Sequence, residues 1–189
     1  MSADDTKLPP ATSSTALPSV LDKPLSRGAG TAPLATFAYL FSAMLQYYES
    51  KVDHVQDIEN GLHQAGYSIG LRLLDLMALR DKVQKREKNL VDLLSFIAGT
   101  VWKNLFGKTA DGLERSNESK DVYYLFEKEP ITNRFVSLPK DYSHMNCASF
   151  IAGIINGMVD AADFPVVVTA NWNVNQTQTV YIIKSIQKT

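Results

Sequence analysis

The chain has 189 residues, 45% of them hydrophobic, and a formal net charge of −1. A domain of roughly 150 residues buries about 70% of its unfolded surface without a metal or disulfide, and so nearly neutral a chain gives no electrostatic case for nucleic acid. The single cysteine, Cys147, excludes an internal disulfide and fits a reducing compartment, and no apolar run reaches the roughly 18 residues that cross a bilayer.

In chain order, residues 1–19 are rich in Ser, Thr, Pro and Ala, without apolar periodicity, and are expected to be a disordered tail. They show no basic-then-apolar signal pattern, so a cytoplasmic protein is expected, held at membranes only peripherally. Residues 20–189 are expected to form one domain. Within its first stretch, Val20-Leu21-Asp22-Lys23-Pro24-Leu25 is a short apolar clip that could lie on a folded surface.

Leu34, Phe37, Leu40, Phe41, Met44, Leu45 and Tyr48 follow 3-4 spacing and predict a helix from Pro33 to about Val52. Its apolar surface is wide. Tyr47 and Tyr48 cannot both face one core, because neighbouring helical positions point about 100° apart, so some of these side chains should meet a partner. A second helix is expected over Val55–Leu79, striped by Ile58, Leu62, Ala65, Ile69, Leu73 and Met77. Gly66 and Gly70 lie inside it at about 1 kcal/mol each relative to alanine, and close contact with another helix is the expected return.

Arg80 to Lys88 reads as a charged connection. Arg80, Lys82, Lys85, Arg86 and Lys88 outnumber Asp81 and Glu87, which suggests a solvated loop or weak contact with anionic lipid or an acidic partner. A third helix is expected over Leu90–Phe106, closed by Gly107 as a C-cap. The period then changes. Gly112–Glu118, Val122–Glu127, Val166–Asn171 and Thr177–Ile183 read as strands in two hairpins turning at 117–120 and 173–176. Between them Asn146–Val159 reads as a helix without charge, buried almost all round, with Asn146 as N-cap and Gly153 and Gly157 on one face. Asp163-Phe164-Pro165 ends it. The sum is an α+β fold, helices packed on a four-stranded antiparallel sheet.

Residue types for catalysis are sparse. Cys147 with His144 could make a thiolate and base at a helix N-terminus, but cysteine is among the most buried residue types and no third orienting group is evident. His54 and His63 stand nine apart, not the three or four that put ligands on one helix face. Gly66-x-x-x-Gly70 lies within a helix and is no phosphate cradle. Asp160 and Asp163 suit a helix end better than acid–base work. No catalytic residue, cofactor or metal is expected.

Several segments, in this order, carry a family resemblance. They are Leu21-Asp22-Lys23-Pro24-Leu25, Gly66-Tyr67-Ser68-Ile69-Gly70-Leu71-Arg72, Leu94-Ser95-Phe96-Ile97 with Val101-Trp102-Lys103-Asn104-Leu105-Phe106-Gly107-Lys108, Asn133-Arg134-Phe135, Pro139-Lys140-Asp141, and Asn146-Cys147-Ala148-Ser149-Phe150-Ile151-Ala152-Gly153 followed by a glycine seven residues before Phe164-Pro165. With them the chain resembles the small subunits of the TRAPP vesicle-tethering complex, most closely the subunit 5 branch. The resemblance implies a non-catalytic core subunit that scaffolds a guanine-nucleotide exchange factor for an early-secretory Rab GTPase in ER-to-Golgi and Golgi traffic. It implies a heterodimer with the TRAPP subunit 3 type through helices one and two, so that Phe37, Leu40, Phe41, Met44, Tyr48, Ile58 and Leu62 are the expected partner-binding face. TRAPP subunit 2 and other core subunits are the remaining expected partners, with the Rab met through the assembled complex. Subunit 3 relatives carry an acylated cysteine after the second helix. Residues 77–89 here contain none, so no acyl anchor is expected. A small-molecule or lipid-binding α+β domain is the alternative reading, and a cysteine enzyme a third.

Overall fold

The computed structural model describes residues 32–80, 87–138, 142, 144–173 and 177–186. The expected tail 1–19, the clip at 20–25, Lys82, Lys85, Arg86, Pro139-Lys140-Asp141 and positions 174–176 of the second hairpin turn lie outside them.

Helix α1, Leu34–Glu49, starts directly after Pro33, whose fixed φ of −58° suits a helix entry and whose carbonyl accepts from the Thr36 amide at 2.9 Å. It ends at Ser50, where the backbone amide returns to Gln46 and the hydroxyl donates to the Tyr47 carbonyl. Helix α2, Val55–Arg80, folds back beside it. Arg80 therefore closes a helix rather than opening the connection. Phe41, Ile58, Leu62, Met145 and Cys147 form a small core under α1, with the Tyr48 ring lying on Gly61.

Helix α2 next crosses the buried helix, numbered α6 below. In α2 the glycines are Gly66 and Gly70; in the buried helix they are Gly153 and Gly157. A Cβ on Gly66 would lie 1.9 Å from the Phe150 carbonyl oxygen, and one on Gly153 would lie 2.0 Å from that of His63. At Gly70 and Gly157 the corresponding carbonyls, of Ile154 and Tyr67, would be 2.2 and 2.3 Å away. Two glycine pairs spaced four apart thus let two helix backbones touch, which is the return expected for their propensity cost. The Tyr67 hydroxyl donates to Asp160 beyond this crossing.

The third helical region bends out of register. Leu90–Phe96 (α3) and Trp102–Phe106 (α4) flank a π-helical turn, Ile97–Val101, in which the Trp102 amide reaches back five residues to Ile97. The expectation of one regular helix is corrected by this widened turn. It presents Val101 and Trp102, adjacent in sequence, to the same core, exposed 0% and 1%. The Ala98 carbonyl accepts from the Ala110 amide at 2.9 Å. Gly107 caps α4 at φ 74°, as its position predicts.

The four strands are β1 Gly112–Arg115, β2 Val122–Glu127, β3 Val166–Trp172 and β4 Thr179–Ser185. They form one antiparallel sheet in the order β1-β2-β4-β3. Strand β1 is shorter than expected because the chain turns directly after Ser116, whose amide makes a last bond to the Val122 carbonyl and whose hydroxyl accepts from the Glu118 and Ser119 amides of the turn. Between β2 and the buried helix a single helical turn, α5 Ile131–Arg134, follows Pro130 and was not expected.

Helix α6 spans Ser149–Ala161, three residues later than expected. Asn146 is not its N-cap. The Asn146 Oδ1 accepts from Ala148, two residues on, and from Asn133 Nδ2, both at 3.0 Å, and so builds the turn before the helix instead. The helix stops where Asp163 adopts φ 68°, a left-handed conformation that a short polar side chain tolerates. As expected, α6 is buried nearly all round: Ile151, Ile155, Met158 and Val159 sit between α2, the α3–α4 region and the inner sheet face of Tyr123, Leu125, Val168, Tyr181 and Ile183.

Candidate functional site

Helix α1 carries two apolar stripes. Phe37, Phe41, Leu45 and Tyr48 turn inward; Phe41 is 4% exposed and stacks on Phe37. Leu40, Ala43 and Tyr47 make a second stripe beside it, with Met44 at its border, half-buried against the small core. Leu40 is 67% and Tyr47 58% exposed, and Tyr39 on the far side is 78% exposed. Leu34 at the helix start adds apolar surface, and Ile69 and Leu71 do so on α2.

The seven residues named from the sequence therefore divide. Leu40 stands at the surface, and Phe37, Met44 and Tyr48 are half-buried. Phe41, Ile58 and Leu62 lie inside the chain's own core and hold the face from beneath. Tyr39 and Leu34 belong to the exposed set but were not named, since a wide apolar helix does not reveal which edge its own core takes. Of the basic positions, Arg80 is half-buried and Lys88 exposed.

A second apolar surface lies on the outer side of the sheet. Strand alternation points Tyr124 and Phe126 of β2 away from α6, beside Ile182 and Val180 of β4. All four are half-buried, and Val167 on neighbouring β3 is 46% exposed. Among the described residues no helix packs on this side in the way that α6 packs on the other.

Among the described residues the titratable groups do not compose a catalytic set. Cys147 is 1% exposed, and burial, reinforced by the nearby Glu59 carboxylate, pushes its thiol up to about 12. It precedes the helix instead of sitting in its first turn, and His144 beside it is exposed. His63 is half-buried. Burial lowers its pKa, partly opposed by a hydrogen bond to the Val168 backbone. Among the described residues no group of three or more His, Cys, Asp or Glu side chains could hold a metal ion, and no helix is long and apolar enough to cross a membrane. The deepest carboxylate is Glu127, 1% exposed. It accepts from the Tyr181 hydroxyl at 2.9 Å and faces Lys108 at 3.5 Å. Burial still raises its pKa. This group ties the loop after α4 to the sheet interior.

The fold and these surfaces define an α+β interaction subunit with apolar faces left over after its own core is complete. Comparison with known proteins agrees. The family model described as Transport protein particle (TRAPP) component matches residues 37–185. Trafficking protein particle complex subunit 5 of Dictyostelium discoideum is 48% identical over 152 residues, covering 80% of this chain and 82% of that one. The Homo sapiens subunit 5 is 39% identical over 158 residues, 84% of each. Among solved structures, trafficking protein particle complex subunit 3 from Naegleria fowleri, covalently bound to palmitic acid, superposes with a TM-score of 0.73 at 19% identity, covering 82% of this chain and 95% of that one. The chain belongs to the TRAPP component family.

Proposed function

We propose that this chain is a non-catalytic core subunit of a TRAPP complex, scaffolding a Rab guanine-nucleotide exchange factor and vesicle tether in ER-to-Golgi and Golgi traffic. The observation that carries this reading is the outward stripe of α1, a second apolar face on a helix whose first is already buried. Leu40 and Tyr47 form its centre, flanked by Phe37, Met44, Tyr48 and Ile69, and the partner is a subunit of the TRAPP subunit 3 type. The outer sheet face supplies the second contact that a subunit inside an elongated assembly needs, and a subunit 2 type or another core subunit fills that role. Contact with the Rab is made by the assembled complex. The protein is cytoplasmic and peripheral on endoplasmic reticulum, Golgi and transport vesicles, and carries no acyl chain of its own, since its one thiol is enclosed in its core.

The chain purified alone should self-associate. Co-expressed with a subunit 3 type partner it should elute as a one-to-one heterodimer. A monodisperse monomer at high concentration, unchanged by the partner, would sink the proposal.

A further inference from the structure

Strand β3 is an edge of the sheet, and its register fixes which of its groups are free. The Asn173 amide donates to Gln178 and the Ile186 amide to Pro165. Backbone groups of the odd-numbered residues 165–173 therefore face β4, and those of Val166, Val168, Ala170 and Trp172 face away from it. The His63 ring approaches the backbone of Val168. Among the described residues Ala170 and Trp172 have no backbone partner on that side.

An unpaired edge is a template for another strand, and here it borders a groove of about 600 Å³ instead of open solvent. The opposite wall is a polar stripe of α2, Gln56, Glu59, Asn60 and His63, spaced i, i+3, i+4, i+7. Asn146 forms part of the lining. It is 2% exposed, its Oδ1 is bonded twice, and its Nδ2 has no acceptor. Glu59 uses one oxygen to accept from the Asn146 amide at 2.7 Å, and among the described residues of the lining it is the only carboxylate and there is no Lys or Arg. A backbone edge, a buried amide donor lacking a partner and a carboxylate suit an extended peptide with a cationic side chain better than a compact apolar ligand.

The chain itself contains such a segment. Residues 1–31 lie outside the described structure, and within them Pro18 and Pro24 bracket five residues, Ser19-Val20-Leu21-Asp22-Lys23. Proline cannot donate to a ladder, so a strand between the two would be at most five residues long, the length of Val168–Trp172. The ten residues 24–33 that join it to α1 span up to about 35 Å when extended. In such a strand, alternation would put Lys23 on the face opposite to Asp22, and one register would turn its ammonium toward Glu59.

We propose that Ser19–Lys23 adds to the free edge of β3 as a fifth strand, in the groove between β3 and α2, with Lys23 meeting Glu59. Hydrogen exchange on the full chain tests it. The Ala170 and Trp172 amides should be protected in the wild type and exchange at least tenfold faster in Val20→Pro, while the core amides of α6 keep their rates. Lys23→Glu should raise the same two rates, and Trp172 emission should shift to the red in both variants against the constant background of buried Trp102. Unprotected amides in the wild type, or equal protection in wild type and Val20→Pro, would overturn the proposal. So would protection that arises only when a separate subunit is added, which would assign the edge to that subunit.

Discussion

Glycine makes a sharp prediction at the scale of single residues. A methyl group at Gly66 or Gly153 meets a backbone carbonyl about 2 Å away, and backbone cannot rotate aside as a side chain can. Gly66→Ala and Gly153→Ala should each cost at least the roughly 1–3 kcal/mol typical of overpacking, read as a lowered urea midpoint. Gly99, in the π-helical turn with open space around its Cβ position, is the control: Gly99→Ala should be neutral or gain up to about 1 kcal/mol. Cys147 should react with iodoacetamide only on denaturation, even at pH 9, because the folded state holds its thiol protonated. Rapid labelling of the native protein would revive the cysteine-enzyme reading. Glu127 gives a pH signature. Its pKa is raised in the folded state, so its favourable contribution is complete below the unfolded value of about 4.3 and is lost as pH rises from there through the folded value. The stability difference between wild type and Glu127→Gln should therefore move against the wild type over that window and then level off. A difference that stays constant from pH 4 to 8 would contradict it.

Elements show where sequence patterns carry and where they do not. Apolar period located α1, α2, the α3–α4 region, α6 and all four strands, since each buries one face or one stripe. What escaped were features decided by local hydrogen bonds. Asn146 has the chemistry of an N-cap, yet an acceptor that satisfies Ala148 and Asn133 has nothing left for the first turn of α6. The π-helical turn keeps the helical period and changes only the phase, so the sequence gives no separate sign of it. Helix α5 is one turn, too short for a period. On α1, periodicity could find an over-wide apolar surface but not divide it, because Leu40 and Phe41 are chemically alike and only the position of α2 decides which is covered. That division is testable. Leu40→Asp should abolish heterodimer formation while changing the stability of the isolated chain by no more than about 0.5 kcal/mol. Phe41→Ala should cost about 3–5 kcal/mol and weaken pairing only through loss of fold. If Leu40→Asp leaves pairing intact, the interface lies elsewhere.

The molecule as a whole is a helical layer and a sheet joined through α6, with apolar surface on both outer sides. Such an arrangement suits a spacer between two neighbours. The isolated chain should therefore show no effect on nucleotide release from an early-secretory Rab, whereas leaving it out of a reconstituted core should lower the exchange rate of the rest. Equal rates with and without it would remove the scaffolding role. Several of the segments that carried the family resemblance, in α2, α4 and the start of α6, hold glycines and a tryptophan that serve the interior. An interior must satisfy many neighbours at once, and a docking face has only one to suit.

The crossing of α2 and α6 has a mechanical side. Where side chains separate two helices, a push on one can be absorbed by a change of rotamer. At Gly66, Gly70, Gly153 and Gly157 there is no rotamer to change, and main chain bears directly on main chain. A load applied at α1 by one neighbour would reach the sheet, and whatever rests on it, with little slack at the joint between them. The subunit would then behave as a stiff strut, holding its two neighbours at a set distance and angle.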